Sequence, residues 1–231
     1  MLSRIKALYL MIEFVVTVLI TIVLMYIFRD KTYPIRQAWA KMQSFLMGFK
    51  VVQKGQIDPE AKLLLINHQS LVDIVVLEMI YGKDLCWIAK KELQQIPLFG
   101  HIITAPKMIA IDRKDKRSII KILKESKDRL LKNRVIAMFP EGTRSSGDKL
   151  LKFQTGAKIL AEKLELKVQP IIVTNTKSIF DSQKMQAKSG TINVVFLDAI
   201  NPKDDENWYE TLKTNMEEGL ANELANNTSH R

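Results

Sequence analysis

Residues 67–73, Asn-His-Gln-Ser-Leu-Val-Asp, place a histidine and an aspartate five positions apart, directly after a run of apolar residues. An aspartate that binds one imidazole nitrogen fixes the tautomer of the ring and stabilises its protonated form, which leaves the other nitrogen free to take a proton from a hydroxyl. On one straight helix this spacing points the two side chains apart. They can meet if His68 lies on the turn before a helix and Asp73 on its first turns. The pair therefore predicts a general base, His68, with Asp73 as its partner. A simple helix cap by Asn67 or Ser70 is the alternative.

A second polar cluster, Phe-Pro-Glu-Gly-Thr-Arg-Ser at residues 139–145, follows another apolar run. Its Arg144 offers the planar guanidinium fork that suits a phosphate group. Glu141, when ionised, only accepts hydrogen bonds and could bind the hydroxyls of a substrate. Gly142 permits a close backbone approach or an unusual dihedral angle. The cluster predicts a site for a phosphorylated ligand, but a surface turn fits it too, because Ser-Ser-Gly-Asp follows Arg144.

Two shorter segments carry charges next to predicted elements: Lys-Lys-Glu-Leu at residues 90–93 and Ile-Asp-Arg at residues 111–113. Taken alone, each fits a solvated helix start or the end of a strand. Lys90 and Arg113 become candidate functional residues only when the order of all the motifs along the chain is considered.

Apolar runs and helical repeats alternate over most of the chain. Short apolar runs predict strands at residues 63–66, 85–89, 108–111, 135–139, 168–173 and 192–197. Helical periodicity predicts helices at residues 71–80, 118–131 and 155–164, and a last helix with apolar residues every four positions, at Trp208, Leu212, Met216 and Leu220. This alternation predicts an α/β domain with a largely buried sheet flanked by helices.

The N-terminal residues differ from the rest. Residues 8–28 are apolar except for Glu13, and they just reach the roughly 20 residues that a membrane-spanning helix needs; a buried helix of a soluble protein is the alternative. Residues 35–49 predict an amphipathic helix, suited either to the headgroup layer or to packing on the domain, and residues 50–55 then predict a linker. We therefore expect membrane-anchoring helices in residues 1–50 and an α/β domain in residues 51–231.

The composition narrows the possible functions. A formal net charge of +10 suits anionic lipid, a phosphorylated substrate or nucleic acid. The sequence has no RNA-binding aromatic signature and no helix-turn-helix pattern, so a nucleic-acid partner is not expected. Cys86 is the only cysteine, and His68, His101 and His230 are the only histidines. Neither a disulfide framework nor a metal site is therefore expected.

The motifs occur in the order His-x4-Asp, Lys-x-Glu-Leu, Ile-Asp-Arg, Phe-Pro-Glu-Gly-Thr-Arg-Ser and, at residues 170–173, Pro-Ile-Ile-Val. This order resembles the glycerolipid acyltransferase family, and within it the 1-acylglycerol-3-phosphate acyltransferases, over residues 63–173. The first and fourth motifs are highly specific in combination. The chain departs from the family at Ala105-Pro106, where many members have glycine, and at Gln169, where many have valine.

The resemblance implies a mixed sheet, a membrane-bound pair of N-terminal helices and no cofactor. It implies transfer of a fatty acyl group from acyl-ACP, acyl-CoA or acyl-phosphate to the sn-2 hydroxyl of 1-acylglycerol-3-phosphate (lysophosphatidic acid), which gives phosphatidic acid in phospholipid biosynthesis. The expected location is the inner (cytoplasmic) membrane, with the active site facing the cytoplasm. By position, His68 is the implied base and Asp73 its partner. The implied substrate-binding residues are Glu141, Gly142, Thr143, Arg144, Arg113 and Lys90.

Three other functions stay open from the residues. In the first, the chain is an acyltransferase whose acceptor is a related lysolipid. In the second, it is a membrane-bound esterase that uses Ser70 as nucleophile. The sequence has no Gly-x-Ser-x-Gly nucleophile elbow, which disfavours the esterase. In the third, the chain is a basic peripheral module that binds anionic lipid or nucleic acid through charge alone.

Overall fold

The computed structural model describes residues 2–112, 115 and 117–228. Its strands are β1 (Phe49–Lys54), β2 (Leu63–Ile66), β3 (Leu85–Lys90), β4 (Ile109–Ile111), β5 (Val135–Met138), β6 (Val168–Thr174), β7 (Phe180–Asp181), β8 (Gln186–Ala187) and β9 (Gly190–Phe196). Its helices are α1 (Leu2–Ile27), α2 (Thr32–Met47), α3 (Val72–Ile80), α4 (Lys91–Gln94), α5 (His101–Thr104), α6 (Ser118–Leu131), α7 (Thr155–Lys163), α8 (Thr176–Ile179) and α9 (Trp208–Thr228).

Within the described residues, the central layer is a seven-stranded sheet with the strand order β1-β9-β6-β2-β5-β3-β4. All of its pairs are parallel except β6–β9, which is antiparallel. The predicted mixed α/β fold is therefore confirmed. Every residue of β2, β5 and β6 is buried, as expected for parallel strands that are covered on both faces.

The last helix, α9, packs on the sheet through the apolar residues that repeat every four positions. Trp208, Leu212, Met216 and Leu220 are all buried, and α9 packs on β6. Because residues four apart lie on one face of a helix, this single stripe packs on the sheet at β6, and the predicted helix is confirmed.

The predicted linker after residue 49 is wrong. Gly48, with φ 72°, ends α2 in the left-handed conformation that favours glycine. The chain then enters β1, which pairs in parallel with β9 at the edge of the sheet. In β1 only Phe49 is buried, so this edge strand lacks the continuous apolar run by which the central strands are predicted.

The N-terminal helices both pack against the α/β domain. In the described part of the chain only α1, over Ser3–Ile27, is long and apolar enough to cross a membrane. One apolar helix is thus present. The second helix, α2, buries the polar side chains of Arg36 and Gln43, so a membrane-bound pair of helices stays a prediction. Between the helices, the Gln43 amide donates to Glu13 at 2.6 Å and to Thr17 at 3.0 Å.

Both ends of α1 touch the domain. The Ser3 hydroxyl donates to the carbonyl of Ala187 in β8 at 3.1 Å. At the other end, the Tyr26 hydroxyl lies 2.6 Å from Nδ1 of His101 in α5. The 26-residue helix is about 39 Å long at 1.5 Å per residue, so α1 lies along the domain rather than projecting away from it.

A buried ion cluster fastens α2 to the sheet. The Arg36 guanidinium pairs with both Glu78 of α3 and Asp84, and Arg134 pairs with Asp84 at 2.9 Å. Burial raises the pKa of Glu78, and the Arg36 charge beside it acts in the opposite direction. The Glu78 carboxylate also accepts the indole N–H of Trp87 at 2.8 Å. Buried charges are tolerated only when they are paired, so this cluster fixes where α2 and α3 meet.

We predict that Arg36→Ala destabilises the protein by about 3–5 kcal/mol, because it leaves Glu78 buried without its cation. Chemical unfolding of the detergent-solubilised chain, followed by circular dichroism, measures the loss. Arg117→Ala is the matched control: Arg117 pairs with Asp115 on the surface, and its loss should cost about 1 kcal/mol or less. Equal stability of the two variants would contradict the assigned role of the cluster.

Candidate active site

Three neighbouring strand ends build the candidate site. His68 follows β2, Glu141 follows β5 and Thr176 follows β6. Because β2 pairs in parallel with both β5 and β6, the carboxyl ends of the three strands meet at one edge of the sheet. This edge is where α/β folds place their ligands.

The predicted histidine and aspartate meet in the predicted way. His68 lies on the turn before α3, and Asp73 lies in the first turn of that helix. Nδ1 of His68 is 2.8 Å from Oδ2 of Asp73. The proton of this bond is on Nδ1, since a carboxylate only accepts, so Nε2 carries the lone pair that a general base needs.

Asp73 holds more than the imidazole. Its Oδ2 also accepts the backbone N–H groups of Gln69 at 2.7 Å and Ser70 at 2.9 Å. Its Oδ1 accepts the hydroxyl of Thr176. The carboxylate is fully buried, and these four donors satisfy it. Asp73 therefore both shapes the start of α3 and orients the His68 ring. The residue at the N-cap of α3 is Leu71, not Asn67 or Ser70 as in the alternative prediction.

Two aromatic rings support the other side of the imidazole. The His68 ring stacks on Phe139, with centroids 3.8 Å apart and an interplanar angle of 12°. Phe139 in turn stacks on Trp87 at 5.3 Å. The His68 side chain remains 14% exposed, so a substrate hydroxyl can reach it although its orientation is fixed.

Glu141 grips the main chain around His68. Its Oε1 accepts the backbone N–H of His68 at 2.7 Å, and its Oε2 accepts that of Leu151 at 2.7 Å. Burial raises the pKa of Glu141, and the two backbone donors act against the rise. The carbonyl of His68 accepts the N–H of Ser145 at 2.7 Å. The 139–145 loop thus binds both main-chain groups of His68, a role that the sequence did not predict for Glu141.

The neighbours of His68 are committed to structural bonds. The Asn67 amide donates to the carbonyl of Val173 at 2.9 Å and accepts its N–H at 2.7 Å, which ties β2 to β6. The buried Ser70 hydroxyl donates its one proton to the carbonyl of Phe180 at 2.7 Å and accepts the N–H of Val72 at 3.3 Å. Ser70 therefore contacts the start of α3, as expected of a residue that helps to begin the helix.

The remaining predicted residues are dispersed. Arg144 is exposed, donates to the Ser182 hydroxyl at 3.3 Å and lines a small cleft of about 10 Å³ with Gln69, Ser70 and Lys177. Gly142 has φ 75°, and Thr143 beside it is exposed. Lys90 is exposed at the end of β3, two strands away from β2, and Arg113 lies outside the described residues.

Two site residues have weak sequence signals. Thr176 and Lys177 follow β6 and belong to none of the predicted motifs. The available signal was their place two and three residues after a buried strand that neighbours β2. In the described part of the chain, no group of three or more His, Cys, Asp or Glu side chains could hold a metal ion.

Comparisons with known proteins agree on one family. A family model described as Acyltransferase matches residues 48–174. The chain is 44% identical over 174 residues to a 1-acyl-sn-glycerol-3-phosphate acyltransferase of Helicobacter pylori (strain J99 / ATCC 700824), covering 74% of this chain and 73% of that one. It is 30% identical to a protein of the same name from Cocos nucifera, over 74% of this chain and 55% of that one.

A solved structure shares the fold. The crystal structure of the 1-acyl-sn-glycerophosphate (LPA) acyltransferase PlsC from Thermotoga maritima superposes with a TM-score of 0.79, covers 96% of both chains and is 21% identical. This likeness extends to the N-terminal part of the chain, which lies outside the residues matched by the family model.

We predict that Glu141→Gln loosens the loop that carries His68. Glutamine keeps one carbonyl oxygen but presents an NH₂ group to the other backbone N–H, so one of the two bonds is lost. Since a hydrogen bond to a charged group contributes about 1.5–3 kcal/mol, the amide of His68 or Leu151 should exchange about 10- to 100-fold faster. Hydrogen–deuterium exchange with mass spectrometry measures this, with the exposed Glu92→Gln as control. Unchanged exchange at both amides would show that Glu141 does not grip the loop.

Proposed function

The chain belongs to the acyltransferase family, and from this premise we propose that it transfers a fatty acyl group from acyl-ACP or acyl-CoA to the sn-2 hydroxyl of 1-acylglycerol-3-phosphate. The product is phosphatidic acid, for phospholipid biosynthesis. The observation that carries the proposal is the oriented His68–Asp73 pair at 2.8 Å, next to a cleft lined by Arg144. The names of the relatives support the choice of acceptor.

In the proposed mechanism, Nε2 of His68 removes the proton of the acceptor hydroxyl while the hydroxyl oxygen attacks the carbonyl carbon of the thioester. The new ester C–O bond forms, the C–S bond breaks, and the departing thiolate takes the proton from the imidazolium. Asp73 stabilises the imidazolium through Nδ1. The stack on Phe139 and the Asp73 bond together hold the ring for this transfer, and no covalent acyl-enzyme is formed.

Arg144 is the proposed anchor of the acceptor phosphate. Its guanidinium is exposed, and its fork can bind two phosphate oxygens at once. The small cleft that it lines also includes Gln69 and Ser70, so a phosphate bound to the exposed guanidinium would lie near the turn that carries His68. We propose that Gly142 and Thr143, together with Lys90 and Arg113, complete the headgroup site, and that the buried Glu141 contributes by holding the loop that carries them.

We propose that residues 1–50 hold residues 51–231 on the inner membrane, with the active site facing the cytoplasm. Ser3 and Tyr26, near opposite ends of α1, both bond to the α/β domain. A helix that crosses the bilayer would carry one of these ends to the far side, away from its partner. We therefore favour α1 and α2 entering one leaflet as a hairpin.

The alternative esterase needs Ser70 as nucleophile. The bond from its buried hydroxyl to the Phe180 carbonyl directs the proton away from His68, which argues against this function.

We predict that the purified chain, incubated with lysophosphatidate and either acyl-ACP or acyl-CoA, forms phosphatidic acid, identified by mass. His68→Ala should lower the rate about 100- to 10,000-fold, the range typical of general-base catalysis. Ser70→Ala, in a fold verified by circular dichroism, should keep transfer activity well above that of His68→Ala. Full activity of a folded His68→Ala variant, or a serine-bound acyl group in wild type, would overturn the mechanism.

We predict that Arg144→Ala raises the acceptor KM about 10- to 100-fold, because charge-assisted hydrogen bonds contribute about 1.5–3 kcal/mol, while the donor KM changes little. Arg144→Lys should rescue only part of this loss, since an ammonium cannot reproduce the fork. Steady-state kinetics with each substrate varied in turn measures both constants. Lys149→Ala, at an exposed lysine nearby in the chain, is the control, and a rise in the donor KM instead would place Arg144 at the donor.

A further inference from the structure

Three large apolar side chains are exposed on a short segment of the α/β domain that begins in α4 and ends before α5. Leu93 is 47% exposed, Ile96 45% and Leu98 69%. Single exposed apolar residues are common on protein surfaces, but three within six residues, here called the 93–98 loop, form a patch. Such patches mark interaction sites.

The 93–98 loop has a defined conformation. The N–H of Gly100 donates to the carbonyl of Ile96 at 2.8 Å. A Cβ at Gly100 would come within 2.0 Å of the carbonyl oxygen of Gln94, so only glycine permits this close fold. Leu98 has φ 61°, a left-handed conformation that leucine rarely adopts. The backbone is thus folded so that a leucine stands at the surface of a compact turn.

The loop adjoins the apolar helix α1. Phe99 and Ile102, which follow the loop, pack against a buried cluster of α1 formed by Val18, Ile22 and Met25. The opposite side of α1 exposes further large apolar side chains, among them Ile20, Val23 and Ile27. The loop therefore adjoins the helix that carries the exposed apolar side chains, although Phe99 and Ile102 contact the opposite face of that helix.

Charges beside the loop favour an anionic partner. Lys90 and Lys91 precede it and are exposed, and Glu92 is the acidic residue among them. Lys91 lies 3.8 Å from Asp112 at the end of β4. Basic residues next to an apolar patch are typical of segments that contact anionic bilayers.

We propose that the 93–98 loop is a second membrane contact, in which Leu93, Ile96 and Leu98 enter the headgroup layer of the leaflet that receives α1. This inference rests on the proposed membrane location of α1 but not on the proposed reaction. A second copy of the chain or another protein is a less suitable occupant, because the loop adjoins the one described helix that is apolar enough for a membrane and follows two exposed lysines.

The test places a fluorescent probe on the loop of the full-length chain. Leu98→Cys, and separately Leu93→Cys, is labelled with an NBD probe in a Cys86→Ala background. Because Cys86 is buried, the same variants in the wild-type background provide a second arm if the core substitution impairs folding. Leu131→Cys is the control, since Leu131 is 78% exposed at the end of α6, remote in sequence from the loop.

Each labelled protein is reconstituted in vesicles of phosphatidylcholine and phosphatidylglycerol. We expect spin-labelled lipid to quench the probe at positions 98 and 93 severalfold more than at 131, and aqueous iodide to show the reverse order. Equal quenching at the loop and at 131 would overturn the proposal. Shielding of the loop from both quenchers would also overturn it, and would indicate cover by protein. Neither readout involves turnover, so failure of the proposed reaction would leave the result interpretable.

Discussion

The site depends on the burial of one carboxylate. Asp73 is removed from water, and its two oxygens are satisfied by donors from His68, Gln69, Ser70 and Thr176. An unsatisfied charge in this position would cost several kcal/mol, so the turn after β2, the start of α3 and the start of α8 must all take up the geometry that supplies those donors. The orientation of the imidazole follows from the same requirement as the local fold.

Support for His68 extends outward in steps to the N-terminal helices. Glu141 holds its backbone, Phe139 holds its ring, and Trp87 backs Phe139. The indole N–H of Trp87 is fixed by Glu78, which is paired with Arg36 of α2. A reactive side chain that is held within tenths of an ångström needs such layers. The ion cluster beneath α2 is thus linked by direct contacts to the base of the proposed reaction.

The parts predictable from sequence were those whose signal is local. Continuous apolar runs give β2, β5 and β6, and the spacing of His68 and Asp73 gives the pair. The contacts that escaped prediction join distant segments: Glu141 to His68 across 73 positions, and Thr176 to Asp73 across 103. These contacts depend on which strands are neighbours in the sheet, and the spacing of residues along the chain does not reveal the strand order. Edge strand β1 escaped for a different reason, because a half-solvated strand needs no apolar run.

The attachment of α1 to the domain near both of its ends has a consequence for how such a molecule works at a surface. A catalytic domain on a flexible tether would sample many heights above the lipid. This domain is bonded to α1 at Ala187 and His101, so with α1 in one leaflet, as proposed, its distance from the lipid surface would be constant. Its search for substrate then reduces to lateral diffusion in two dimensions. In the proposed one-leaflet arrangement, substrate would be drawn from, and product returned to, the same side of the bilayer, so growth of the opposite side would depend on a separate means of moving lipid across.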